Sequence, residues 1–295
     1  MAWVLFLSAA HGQVPAQPAD PNQPVPAQPV QPAVPVAPPS AAAPPPSASP
    51  GVPAAVPPAP TGPVVSIVAD GSLKAVLQEL AQTWADSQPE SPQMPITLTN
   101  SGTMRAKIES GSTWDLALDA DVLDVKEMTD RGHLLADGQR SLARNTLVIY
   151  GRSPLVKDDD LDWFDLIGTE WKKVALGNPD LTASGRSALR ALHKHGLDDD
   201  DHKGIYVNAA NEATALQLLQ REQADAAFVF RTNLASFSLR GFDSFPLSGV
   251  DAPPVFYTGA VFRLAKNPAL ARQFLDYCGS EGARAIWAKY GFETD

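Results

Sequence analysis

The sequence predicts an α/β fold with mostly parallel sheets, and three observations carry the prediction. Short β-branched runs recur between residues 64 and 262, a small polar turn follows most of them, and the turns open amphipathic stretches with apolar residues at helical spacing. Strand and helix signals alternating in this way belong to sheets covered by crossover helices.

The first 63 residues stand outside the pattern. They hold 19 of the 28 prolines and a single charged residue, Asp20, so they lack the material for a core. Residues 1–12 read as the remnant of a secretory signal peptide, because Ala2 to Leu7 is an apolar run followed by small residues near Ala10 and Gly12. No Lys or Arg precedes that run. Residues 13–63 read as a disordered Pro/Ala-rich linker; about fifty residues of polyproline II at about 3.1 Å each reach on the order of 150 Å.

The elements then follow in order. Val64 to Val68 is the first predicted strand, and Leu73, Val76, Leu77, Leu80, Ala81 and Trp84 mark the buried stripe of the helix after it. Ile96 to Thr99 reads as a strand, Met104 to Ser110 as a helix, Leu116 to Leu118 as a strand, and Val122 to Arg131 as a helix closed by Gly132. Thr146 to Tyr150, Lys173 to Leu176, Ile205 to Val207 and Ala226 to Phe230 are strand-like, with helices around Ser187 to His195 and Ala213 to Arg221. Val255 to Phe262 is a further strand, and Pro268 to Cys278 and Gly282 to Tyr290 are the closing helices.

Composition removes several functions. A formal net charge of −10 is wrong for neutralising phosphates, so no nucleic-acid partner is expected. No run of eighteen apolar residues occurs, so no transmembrane segment is expected. The one cysteine, Cys278, allows neither an intrachain disulfide nor a cysteine-built metal site, and its helical stripe makes it a buried thiol. His193, His195 and His202, among Asp198 to Asp201, follow a helix end at Gly196 and read as solvated charge, so no protein-coordinated metal is expected. The motifs G-x-S-x-G, H-E-x-x-H and G-x-x-x-x-G-K-S/T are absent, and an enzyme is not expected. Trp84, Trp163, Trp171 and Trp287 read as core; Trp114 reads as core or as cleft lining.

Candidate chemistry lies in four strand-to-helix turns: Asp70-Gly71-Ser72, Asn100-Ser101-Gly102-Thr103, Ala183-Ser184-Gly185, and the one at Asn211. Such turns leave N–H groups unpaired at the positive end of a helix dipole and bind anions without cationic side chains. Ser and Asn are also ordinary N-caps. In open α/β sheets, ligands bind at the strand C-terminal ends where these turns lie.

From Val64 to Phe292 the chain resembles the periplasmic molybdate-binding proteins of ABC importers. The resemblance rests on the order and spacing of SIVADGSLKAVLQELA, NSGTMRAKIESG with WDLALDAD, NTLVIYG, ALGNPDLTASGRSALRAL, ALQLLQREQADAAFVF and AKYGF. It implies a two-lobed type II periplasmic-binding-protein fold with two crossovers, near Thr146 and Val255, as hinge. The first lobe would comprise residues 64–145 and 257–295, and the second 146–256. It implies a monomer, extracytoplasmic or periplasmic, that captures molybdate or tungstate without a cofactor and delivers it to the importer's permease. The family's serine donors fall on Ser72 and Ser101, and its backbone donors on Ser184 and Glu212; Asp70, Gly71, Gly102, Gly185, Asn211 and Phe230 would line the cleft. Three positions depart from the family: Glu212 stands for the usual Val, Phe230 for a tyrosine hydroxyl, and Asp70 for a small apolar residue. A carboxylate at position 70 would repel a dianion, accept a proton from a protonated oxyanion, or turn out to solvent. Phe230 and Asp70 also motivate the alternative of a tethered sensory or scaffold module that binds another oxyanion such as phosphate.

Overall fold

The computed structural model describes residues 62–154, 162–247 and 249–294. The expected leader and all but the last two residues of the expected linker lie outside the described residues.

Two five-stranded sheets form, each with helices against its faces. The first contains β1 (Ile67–Asp70), β2 (Ile96–Thr99), β3 (Leu116–Asp119), β4 (Arg140–Asn145) and β10 (Val255–Val261), in the order β2-β1-β3-β10-β4. The second contains β5 (Leu147–Arg152), β6 (Val174–Gly177), β7 (Tyr206–Ala209), β8 (Ala226–Phe230) and β9 (Phe242–Pro246), in the order β7-β6-β8-β5-β9. The helices are α1 (Lys74–Ser87), α2 (Ser101–Glu109), α3 (Val122–Asp130), α4 (Trp163–Leu166), α5 (Ala183–Lys194), α6 (Glu212–Gln220), α7 (Pro268–Cys278) and α8 (Glu281–Lys289).

The sheets are mixed rather than mostly parallel, which corrects the sequence expectation. β1 runs parallel to β2 and β3, but β10 is antiparallel to β3 and β4; likewise β6 is parallel to β7 and β8, while β5 is antiparallel to β8 and β9. In each sheet the reversed strand enters from the other lobe. The chain passes between sheets at Thr146, between β4 and β5, and again between β9 and β10. β10 begins at Val255, two residues before the expected return at 257.

Most element bounds moved by a few residues for one reason: the polar turns are themselves helical. α2 starts at Ser101 rather than Met104, and α5 at Ala183 rather than Ser187, because Asn100 and Thr182 cap them by accepting from Thr103 N and Gly185 N. The first strand sits at 67–70 rather than 64–68; Val65 N pairs instead with Gln93 O at 2.8 Å. Gly132 takes φ +80°, the left-handed conformation a helix C-terminus needs and glycine adopts without a Cβ penalty.

The core is where the sequence put it. Trp84, Trp163, Trp171, Trp287 and Cys278 are all buried. Trp84 meets Phe274 at 5.3 Å between centroids, and Trp287 Nε1 donates to Cys278 O at 2.9 Å, so α1, α7 and α8 close over the first sheet. Trp114 packs on Phe262 at 5.8 Å, on the core side. The three histidines pair singly, His193 with Asp198, His195 with Asp251 and His202 with Asp199. No helix among the described residues is long and apolar enough to cross a membrane.

Gln93 N donates to Pro63 O at 2.8 Å, which fixes the folded start near residue 63. A chain beginning at Gly62 should therefore unfold at the same temperature as the full chain. A drop of several degrees, equivalent to about 1 kcal/mol or more at this size, would show that the Pro/Ala tract packs on the domain.

Candidate functional site

A cavity of about 270 Å³ lies between the sheets, walled by Asp70, Gly71, Ser72, Asn100, Thr182, Asn211 and Glu212 among others. Three of the four turns singled out in the sequence thus meet at one place, and the remaining one, Ala183-Ser184-Gly185, reaches it only through the preceding Thr182. β1 delivers the first, β2 the second, β6 the third and β7 the fourth, each at a strand's C-terminal end. Gly185 has to be glycine for this to happen: a Cβ there would meet Gly177 O at 2.2 Å, so α5 starts hard against β6.

Ser101 and Ser184 have no exposed surface and, with Gly102, Gly185 and Phe230, do not border the cavity. Gly102 N donates across the cleft to Leu181 O at 2.9 Å. Phe230 is buried, its N–H donates to Asn233 Oδ1, and its ring faces that of Tyr257 at 6.4 Å.

Two carboxyl groups, Asp70 and Glu212, stand in the cavity wall. Asp70 points inward and is 6% exposed, so of the three outcomes open to it the turn to solvent does not occur. Its Oδ1 accepts from both Ser72 N (2.9 Å) and Ser72 Oγ (2.5 Å). Ser101 Oγ donates at 2.5 Å to Asp119 Oδ1, which also accepts from Asp121 N at 3.1 Å. Asp119 Oδ2 is the one buried side-chain N or O without a hydrogen-bond partner among the described residues. Burial above all raises these acids: Asp70 is raised, Asp119 is pushed up to about 8 by burial and then by the Asp70 charge, and Glu212 up to about 7 by the same two causes, opposed by a bond from Ser184.

Among the described residues, the cation that lowers the Asp70 pKa is Arg186 of α5. Its guanidinium is already engaged across the lobes, with Nε 2.7 Å from Asp121 Oδ2 and Nη2 2.9 Å from Asp124 Oδ2. Asp124 also receives Arg105 at 2.9 Å. Arg186 therefore clamps α5 to the start of α3 rather than lining the cavity.

Sequence reasoning missed Asp119 and Tyr257. Tyr257 OH lies 2.8 Å from Ser72 Oγ and accepts from Asn145 Nδ2 at 3.4 Å, so β10 supplies a phenol beside the position where Phe230 lacks one. Nothing local marks Tyr257 in the sequence. Asp119 did leave a signal, since it ends a fully buried strand as Asp70 does.

Two lobes joined by two passages, with a small polar cavity between helix N-termini, are the architecture of a binding protein for a small solute. The chain belongs to the family of bacterial extracellular solute-binding proteins, whose model matches residues 65–293. The molybdate-binding protein ModA of Haemophilus influenzae is 24% identical over 235 residues, covering 78% of this chain and 90% of that protein. The periplasmic molybdate-binding protein of Azotobacter vinelandii has the same fold, with a TM-score of 0.68 at 20% identity, covering 78% of this chain and 99% of that one. Iron-bound HitA from Pseudomonas aeruginosa also shares it, with a TM-score of 0.61 at 17% identity, covering 79% and 89%.

Proposed function

We propose that this chain is the extracytoplasmic receptor of an ABC importer and that it captures a small tetrahedral oxyanion, molybdate or tungstate, for delivery to the permease. The observation that carries the reading is the convergence of four helix N-termini, α1 through its leading turn and α2, α5 and α6 directly, around one cavity between the lobes. The relatives named for molybdate support the same ligand class. The receptor acts as a monomer in the periplasm or its equivalent, needs no cofactor, and holds its metal only as the oxyanion.

Calorimetric titration with molybdate, tungstate, sulfate and phosphate tests the reading. At least one of the first two should bind, and Ser72→Ala should weaken it by less than the roughly 1.5 to 3 kcal/mol of a direct hydrogen bond to a charged partner, because the Ser72 hydroxyl is given to Asp70. Saturation by none of the four would remove the oxyanion function. The inward Asp70 and Glu212 favour a second reading, a tethered sensory or scaffold module for an oxyanion such as phosphate; binding of phosphate with no response to molybdate or tungstate would select it.

A further inference from the structure

Two of the four donors expected to hold an anion, Ser72 and Ser101, are occupied within the protein, as are N–H groups beside them. Ser72 gives both its N–H and its hydroxyl to Asp70, Ser101 Oγ goes to Asp119, and Gly102 N goes to Leu181 O. Thr103 N and Gly185 N are used by the caps Asn100 and Thr182. The cavity wall instead carries the carboxyl groups of Asp70 and Glu212, one from each lobe, and no Lys or Arg among its described residues. A third carboxyl, Asp119, leaves Oδ2 buried with no partner.

An ionised dianion at hydrogen-bonding distance from either wall carboxylate would be repelled more strongly than neutral hydrogen bonds hold it. A single proton reverses the sign, because O–H···O⁻ is among the stronger hydrogen bonds. Resting on the oxyanion reading above, we propose that the cleft binds its anion together with at least one proton, taken from solvent or carried in by the ligand and held between an anion oxygen and Asp70 or Glu212.

The charged and titratable surroundings fit. Asp70 faces Asp119 from β3, Glu212 from α6 and Tyr257 from β10, and among the described residues the cation acting on it is Arg186 of α5, itself bound by Asp121 and Asp124. Burial keeps the Tyr257 phenol protonated and leaves the acids titrating near neutrality, Glu212 at about 7 and Asp119 at about 8. A bound state that holds one proton more than the free protein plus free ligand loses affinity about tenfold per pH unit above the free site's pKa.

The test is calorimetry of the full chain at pH 6, 7 and 8, in two buffers of different ionisation enthalpy, with molybdate, sulfate and inorganic phosphate. Molybdate and sulfate carry no proton in this range, so with a free site at about 7 their binding should take up about one proton at pH 8 and weaken about fivefold from pH 7 to pH 8. Glu212→Gln should then bind molybdate about tenfold more tightly than the parent at pH 8 and take up fewer protons; Asp70→Asn carries the same expectation should the first variant fold poorly. Binding of phosphate alone, following its protonated form, would place the proton on the ligand and also support the proposal. Binding of any of these anions with equal affinity at all three pH values and no proton exchange would overturn the proposal and leave the oxyanion reading standing. No binding at any pH would remove both.

Discussion

Asp119→Asn should raise the unfolding free energy at pH 8 by on the order of 2 to 4 kcal/mol and lower it by about 1 to 2 kcal/mol at pH 4, as read by urea denaturation. Asp119 is fully buried, and its folded pKa of about 8 stands above the ordinary 3.8. The folded state therefore binds the proton more tightly than the unfolded chain. The stabilisation this gives is complete below about pH 4 and is lost as pH rises through 8. A gap of about four units corresponds to at most roughly 5 to 6 kcal/mol. Asparagine keeps an oxygen for Ser101 Oγ and Asp121 N but places an amide where Oδ2 lacks a partner, which takes back about 1 to 3 kcal/mol. Glu212, at about 7, retains part of the slope between pH 5 and 7 in the variant. Parallel pH profiles for parent and variant would show that Asp119 ionises freely.

Asp119 also marks the limit of what a sequence displays. Strands β2 and β8 and helix α7 emerge at the bounds read from the residues, because each is specified locally by β-branched runs or by a proline start and an apolar stripe. β4 and β9 were not legible. β4 is RSLARN, with an exposed, charged beginning, and β9 is an edge strand that ends on Pro246, a residue that argues against a strand unless the edge is known. Both acquire their structure from partners that arrive from elsewhere in the chain. The mixed direction of the sheets was hidden for the same reason, since β5 and β10 are reversed only by entering from the opposite lobe.

The candidate site divides along the same line. Asp70, Ser72, Asn100, Asn211 and Glu212 were readable because N-cap and turn chemistry lies within a few residues of the strand it follows. Tyr257 was not readable, because its place depends on the register that pairs Tyr257 with Ala143 and its neighbour Thr258 with Asp119. Nor could the sequence show that Ser72 and Ser101 would spend their hydroxyls on carboxylates. That outcome follows from burying Asp70 and Asp119, which must find donors wherever the packed lobes offer them.

Arg186→Met should loosen the lobes, destabilising the closed arrangement by about 2 to 3 kcal/mol. Arg186 stands on the second lobe and its two carboxylate partners on the first, so the clamp exists only while the lobes touch. Its side chain is 26% exposed, against 6% for Asp124, which places the cost below that of a fully buried pair but well above that of a surface one. Methionine retains much of the apolar stem and leaves Asp121 beside Asp124 with only Arg105 for compensation. In solution scattering, the unliganded variant of the chain that begins at Gly62 should show a larger radius of gyration than its parent. Its best oxyanion should bind about tenfold to a hundredfold more weakly, because part of the binding energy must now close the lobes. Asp124→Asn added to Arg186→Met should restore part of the stability by removing the carboxylate left unpaired, a coupling that a merely local packing defect would not produce. Unchanged scattering and affinity in Arg186→Met would mean that the contact of Gly102 with Leu181 and the two passages hold the lobes without the clamp.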